Sequence, residues 1–472
     1  MILFVLATAG MVAAFMHSLL IPIQSELPDL LHASREDSAW VITITLLVSA
    51  ICVPISGRLG DMYGKRTVIL VLLGLLTAGS LVCALSDSLL PMIIGRGLQG
   101  VGMGVIPLGI ALLHDVMPEN RVNVAVSLVS ATLGVGAALG LPVGAIITAI
   151  GDWHILFWVS AGLCITVLVL CLLVLPTEGI RSGGRFDYVG ALGLAVCLTA
   201  LLLVLSNGNQ WGWAAWQTLV LSGCGLLVFV MWGWYQLRRR EPLIDVRVSL
   251  RRPVLMTNLA SIAMGFALFA SHITFPQLLS LPESAGGLGA SLLVASVTLM
   301  PSGLAMLAMS PISGRLMDRV GPKSLLILGA ATIAATYIVA LLVPTTIVSI
   351  AVINAVLGAG IGLGYAAMPT LVMRSVPDSE TAAGNGLNTL MRALGTTAAS
   401  AVIAAVLAQS AHTSHTGYPT GGGFQVALLL GCIGGMVSIA LAIFIPSQKR
   451  FPSPVAAQEP QRSLSEKEIT HV

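Results

Sequence analysis

Four side chains stand where an apolar chain would not place them without cause. His17 and His272 each lie inside a long apolar run, and each precedes a proline, Pro22 and Pro276. Histidine has the unperturbed pKa closest to neutrality, about 6.5, so a residue of this kind could take up and release a proton. Arg96 lies inside another apolar run with Gln99 one turn further on. Arg392 lies deeper in its own run, four residues after Asn388 and on the same helical face. Charge at membrane depth is expensive and is kept for function, so these six residues are the candidates for binding a substrate or coupling its movement. The bland alternatives are satisfied neutral histidines, an Arg96 that snorkels to the outer interface, and an Arg392 bonded to backbone carbonyls. None of the 20 Asp and Glu residues falls in the middle of an apolar run. His412 and His415 have no third ligand near them in sequence, so no metal site is expected. No nucleophile elbow or phosphate loop is present, so neither an enzyme nor a cofactor is expected.

The elements that must hold these residues are membrane helices. The 472 residues are 56% hydrophobic and only 9% charged, against about 25% charged in soluble domains. Apolar runs of about twenty residues recur, each long enough to cross a hydrocarbon core as a helix. The net charge of +3 and the lack of a basic patch with interleaved aromatics exclude a nucleic-acid partner. The seven cysteines all sit in apolar runs and read as small core residues. The spans are predicted at 3–24, 39–57, 67–86, 90–113, 124–149, 155–175, 188–206, 217–237, 254–278, 290–312, 323–343, 347–372, 381–409 and 424–446.

Lysine and arginine orient them. Arg58, Lys65, Arg66, Arg121, Arg181, Arg185, the run Arg238 to Arg252, Arg315, Arg319, Lys323, Arg374 and the basic residues after Ser447 all fall on one side of a fourteen-span chain. Arg35 remains on the other. Both termini are therefore expected in the cytoplasm. Trp211, Trp213 and Trp216 mark an outer loop, and Pro242–Arg247 is a candidate in-plane helix. His114 and Asp115 end the fourth span, where Asp115 is expected to cap the helix or pair with Arg121.

Two predicted cytoplasmic loops share one pattern. Residues 57–66 read GRLGDMYGKR and residues 314–323 read GRLMDRVGPK, so both fit G-R-L-x-D-x-x-G-x-[KR]. Gly57, Asp61, Gly64 and Arg66 in the first are matched by Gly314, Asp318 and Gly321 in the second. Glycine permits the tight turn, and aspartate can cap a helix start. Such duplication is the architecture of many secondary transporters.

With these motifs the chain resembles the major facilitator superfamily, and within it the fourteen-span drug:proton antiporter branch. The resemblance covers nearly the whole chain. Residues 57–66 match that superfamily's signature between spans two and three. RGLQGVG at 96–102 matches its R-x-x-Q-G-x-G. Gly134, Gly136, Gly140, Pro142 and Gly144 in span five are similar to its antiporter motif, with GLPVG in place of GPxxGG. GNGLNTLMRALG at 384–395 also fits. The resemblance implies two pseudo-symmetric six-helix bundles plus two inserted helices, an all-α integral membrane protein divided as 1–175, 176–252 and 253–446 with a disordered cytoplasmic tail at 447–472. It implies multidrug efflux: a monomer that exports amphiphilic or cationic small molecules by alternating access in exchange for protons, while the excess of Arg over Lys and the abundance of Ala, Gly, Val and Leu fit a GC-rich bacterial genome and hence the plasma membrane. The branch often carries an aspartate in span one near the place of Ala13. This chain has none, which leaves His17 and His272 as the candidate proton carriers and makes a lipid or metabolite transporter with weak or no proton coupling the alternative. Small residues at four-residue spacing in span five let helices approach closely, and a kink at Pro142 could seal the exporter against leak.

Overall fold

In hydrocarbon a backbone must satisfy its own hydrogen bonds, so apolar runs of this length fold as helices. The computed structural model describes residues 1–20, 23–24, 26–177, 181–412 and 418–446, and every regular element among them is helical. In chain order these are α1 (Ile2–Ser18), α2 (Arg35–Tyr63), α3 (Lys65–Ala84), α4 (Leu89–Val116), α5 (Glu119–Ile150), α6 (His154–Val174), α7 (Tyr188–Trp211), α8 (Trp216–Arg238), α9 (Arg252–Ser280), α10 (Leu292–Val320), α11 (Pro322–Leu342), α12 (Ile347–Met373), α13 (Thr381–His412) and α14 (Gly421–Ile443). Among the described residues, 13 helices are long and apolar enough to cross a membrane, and α1 is a shorter apolar helix of 17 residues.

Packing repeats with an offset of eight helices. α1 packs on α5 and α6, α2 on α4, and α3 on α4 and α6; likewise α9 packs on α13 and α14, α10 on α12, and α11 on α12 and α14. The two sets meet through α2 against α13 and α5 against α10, again an equivalent pair.

The hairpin α7–α8 stands outside both sets. Leu194, Cys197 and Leu198 of α7 form one apolar cluster with Leu47 and Ala50 of α2 and with Leu387 and Leu390 of α13, so α7 lies across the place where the sets meet. Trp232 Nε1 donates to the Gly190 carbonyl at 2.7 Å and fixes α8 to α7. The Asp187 side chain caps α7 by accepting from Gly190 N at 2.9 Å and also takes the Tyr235 hydroxyl at 3.0 Å. The base of the hairpin is tied down: Ser182 N donates to the Asp61 carbonyl at 2.7 Å, and Arg185 N donates to Glu241 at 2.6 Å.

Three expectations change. The first helix ends at Ser18 rather than continuing to 24; Pro22 lies outside the described residues. The linker helix is one turn, Val246–Ser249, not 242–247, because Asp245 accepts from Arg247 N and Val248 N and so fixes the helix start behind itself. The two signature segments are not loops. α2 stays helical to Tyr63 and α10 to Val320, and each chain reversal occurs at a single glycine, Gly64 (φ 103°) and Gly321 (φ 82°). That left-handed region favours glycine, whereas Gly57 and Gly314 inside the helices provide close approach. His415 and the tail at 447–472 lie outside the described residues. The cysteines among them are free.

Candidate functional site

At the arginine-rich end, each signature segment docks on the first turns of a helix in the other set. Asp61 accepts from the backbone N–H groups of Ala382 (3.2 Å) and Ala383 (2.8 Å), which open α13. Free N–H groups and the helix dipole make a helix start a natural seat for a carboxylate. Gly57 makes room for this contact, since a Cβ there would lie 2.5 Å from the Ala382 carbonyl oxygen. In the second copy, Asp318 accepts from Asn123 Nδ2 at 2.6 Å near the start of α5, and Gly314 faces the backbone of Val124, whose Cα would lie 2.5 Å from an added Cβ.

Lys65 completes the first copy. Its Nζ lies 2.5 Å from Asp115 at the end of α4 and 3.8 Å from Asp61. Both partners of the Lys65–Asp115 pair are buried, with side-chain exposures of 2% and 6%. Asp115 thus pairs with Lys65 and not with Arg121, which is exposed. The lysine comes from the neighbouring helix start and reaches Asp115 from within the bundle. Arg66 instead donates to the Leu172 carbonyl at 2.8 Å, binding α3 to α6.

Arg96 is buried, at 2% exposure, and does not snorkel. Nε donates to the Val41 carbonyl at 3.3 Å, and Nη1 to the Met16 carbonyl at 3.2 Å and to Gln99 Oε1 at 2.6 Å. Gln99 Nε2 passes the chain on to Ser80 Oγ at 2.9 Å. The pair therefore joins α1, α2, α3 and α4. The helical path explains why it turns inward: a glycine-rich 3-10 turn, Gly102–Gly104, follows it in α4, and Gly95 and Gly100 let α3 and α2 close around it. His17 follows Met16 directly, so it stands beside this cation. Its Nδ1 is buried without a hydrogen-bond partner.

Arg392 and Asn388 organise a polar layer between α9, α12 and α13. Asn388 Nδ2 donates to Asn258 Oδ1 at 3.0 Å and to Ser261 Oγ at 2.8 Å. Arg392 Nη2 donates to Thr389 Oγ1 at 3.0 Å, and its guanidinium lies 4.6 Å from the centre of the Tyr365 ring. Arg392 Nε, Asn388 Oδ1 and both amide atoms of Asn354 and Asn385 are buried without partners among the described residues. Gly265 and Gly395 press α9 against α13 at this level. Asn258, Asn354, Asn385 and Tyr365 escaped the sequence reading, although an asparagine inside an apolar run is itself a signal. His272 lies on α9, exposed and 6.2 Å from the Phe269 ring. No hydrogen bond or ion pair among the described residues joins it to His17.

The glycines of α5 divide between two partners. Gly136 and Gly140 seat α1, while Gly134 meets Met306 of α10. α5 runs unbroken through Pro142, and Gly144 is buried and accepts the Thr148 hydroxyl at its carbonyl. A Cβ at Gly140 would lie 2.9 Å from the Phe15 carbonyl oxygen, whereas one at Gly74 would meet nothing within 4 Å. Gly140→Val is therefore expected to destabilise the fold by about 1–3 kcal/mol, while Gly74→Val stays within about 0.5 kcal/mol. Melting temperatures in detergent check both; equal effects would remove the close-approach argument. Among the described residues, no group of three metal-ligating side chains converges.

The profile described as the Major Facilitator Superfamily matches residues 6–400 and again 260–470, and the second match falls on the second set of helices. An uncharacterized MFS-type transporter of Bacillus subtilis, YvkA, is 27% identical over 92% of this chain and 96% of its own. The lincomycin resistance protein LmrB of Listeria monocytogenes is 25% identical over 93% and 95%. Among solved structures, the proton:xylose symporter XylE superposes with a TM-score of 0.64 over 94% of this chain and 95% of that one, at 15% identity, a likeness of fold alone. The repeated contacts, the paired signature segments and the span of the family match together place this multi-pass plasma-membrane protein in the major facilitator superfamily.

Proposed function

We propose that the chain is a fourteen-span secondary transporter with both termini in the cytoplasm, exporting small amphiphilic molecules by alternating access. Residues 1–175 and 253–446 act as the two six-helix bundles, and 176–252 as an inserted hairpin with its linker. One observation carries this reading: each signature aspartate holds the first turns of a helix in the opposite bundle. Contacts that reach across two bundles at one end, in equivalent copies, are what a rocking carrier must make and break. The names of relatives such as LmrB, a lincomycin resistance protein, support a xenobiotic cargo.

The drive has two readings. Exchange for protons would use His17, which stands beside Arg96, and His272. The lack of any carboxylate in the middle of a span favours weak or no coupling and a lipid-like or metabolite cargo. Both are tested with purified protein in liposomes and a panel of amphiphilic dyes, with and without an imposed pH gradient. Dye movement above protein-free vesicles is expected; no movement of any dye would remove the transporter reading. If protons are exchanged, the His17→Ala/His272→Ala variant loses the gradient dependence and keeps its melting temperature. Unchanged gradient dependence in that variant would discharge both histidines.

A further inference from the structure

We infer that the cargo carries negative charge, that Arg392 in the middle of α13 is the group that receives it, and that the membrane potential rather than a proton drives it out. The inference rests on the transporter reading above and names its substrate class.

Arg392 is the twelfth residue of α13. At 1.5 Å per residue it lies about 17 Å from the cytoplasmic end of that helix, near the middle of a hydrocarbon core of about 30 Å. It is buried, at 5% exposure. Ionised groups at this depth normally pair with one another, and this one does not. Ion pairs among the described residues include Lys65 with Asp61 and Asp115, and His154 with Asp87 and Asp152. All of these lie at the ends of helices. The Arg392 guanidinium has one hydroxyl and one ring face, and its Nε has no acceptor.

Its surroundings are neutral and under-used. Asn385, Asn388 and Arg392 recur at three- and four-residue spacing on one face of α13. Asn385 has an unused Nδ2 donor. The other arginine inside a span, Arg96, is also compensated by neutral oxygens, the Val41 and Met16 carbonyls and Gln99. Among the described residues, the middle of the spans thus holds the two arginines and no acid. A unit charge brought within about 6 Å of Arg392, at an effective dielectric constant of about 20, is favoured or disfavoured by on the order of a hundredfold according to its sign. A guanidinium fork with a free edge suits carboxylate, sulfonate or phosphate groups.

An anionic cargo also removes the need for a proton carrier. A monoanion leaving an inside-negative cell moves down the electrical gradient, worth roughly a 50-fold concentration ratio per 100 mV. Export then needs only a site that accepts the anion and two bundles that alternate. The missing mid-span carboxylate follows from that arrangement.

The test uses the full chain in liposomes and two permanently charged probes of similar size, naphthalene-2-sulfonate and N-methylquinolinium, with a neutral dye as a third. A potassium diffusion potential of either sign is imposed at equal pH. Naphthalene-2-sulfonate is expected to leave the vesicles at least about tenfold faster under an inside-negative potential than under an inside-positive one, while N-methylquinolinium stays. Arg392→Gln is expected to slow the anion at least tenfold; Arg392→Lys keeps the preference for the anion. If N-methylquinolinium or the neutral dye moves and the sulfonate does not, the anion reading is overturned and the transporter reading stands. If no probe moves, both fall. Anion flux at the wild-type rate in Arg392→Gln would overturn the assignment of the site to Arg392. Should the glutamine variant melt early, the lysine variant decides, because loss of the anion preference with the charge retained and the fold intact would equally overturn it.

Discussion

Asp61→Asn is expected to cut transport at least tenfold and to leave the arginine-rich end open. The carboxylate accepts two backbone N–H groups at the start of α13, and Lys65 stands behind it. Hydrogen bonds to a charged group contribute about 1.5–3 kcal/mol each. An asparagine keeps one acceptor oxygen and loses the charge that the helix start favours. A loss of roughly 3 kcal/mol would carry a bundle closed 99:1 at this end close to parity. Labelling of single cysteines placed at the Ala383 level reads the change: modification from the arginine-rich side should rise severalfold. Unaltered labelling together with unaltered transport would refute the latch. Asp318→Asn should do less, because its partner is the side-chain amide of Asn123, which can turn over to meet an amide in place of a carboxylate.

Arg96→Met is the second large effect. Methionine fills much of the same space but donates nothing. It strands the Met16 carbonyl and Gln99 Oε1 inside the bundle, and it leaves the Val41 carbonyl with the Thr45 hydroxyl as its side-chain donor. Each buried acceptor left without a donor costs about 1–3 kcal/mol, so a loss of several kcal/mol in stability is expected, with at least a tenfold loss of transport. The melting temperature in detergent and flux in liposomes measure the two. Arg96→Lys should recover only part of either, since a single ammonium cannot reach acceptors on α1, α2 and α4 as a planar fork does. Wild-type melting for Arg96→Met would show that the four-helix tie contributes little.

What the sequence made legible followed from chemistry written along the chain. The helices were placed by the length of apolar runs, and the two sets of helices by the matched segments at Gly57 and Gly314. The depth of Arg96 and Arg392 was equally plain. Direction was not. Position in a run says how deep an arginine lies, but not whether it turns to lipid or to its neighbours, and the inward turn of Arg96 depends on carbonyls at Met16 and Val41 that no side chain advertises. The partners of Asp61 were hidden for the same reason, because Ala382 and Ala383 offer only their backbone. Lys65 was visible as a positive charge and Asp115 as a negative one, yet 50 residues separate them. Their meeting depends on how α3 crosses α4. The helical course of residues 57–63 was missed because a glycine pair looks like a turn until the backbone shows that only Gly64 needs to be glycine for its conformation.

The position of α7 has a consequence for the symmetry of the molecule. Its Leu194 and Leu198 fill the groove between α2 and α13 on the flank where the bundles meet. At the hairpin base Arg185 N closes the hairpin onto Glu241, while Ser182 N ties it to the carbonyl of Asp61, the residue that also holds the start of α13. The twofold likeness of the two sets is therefore broken at their rim: of two equivalent seams in the core, α7 covers one.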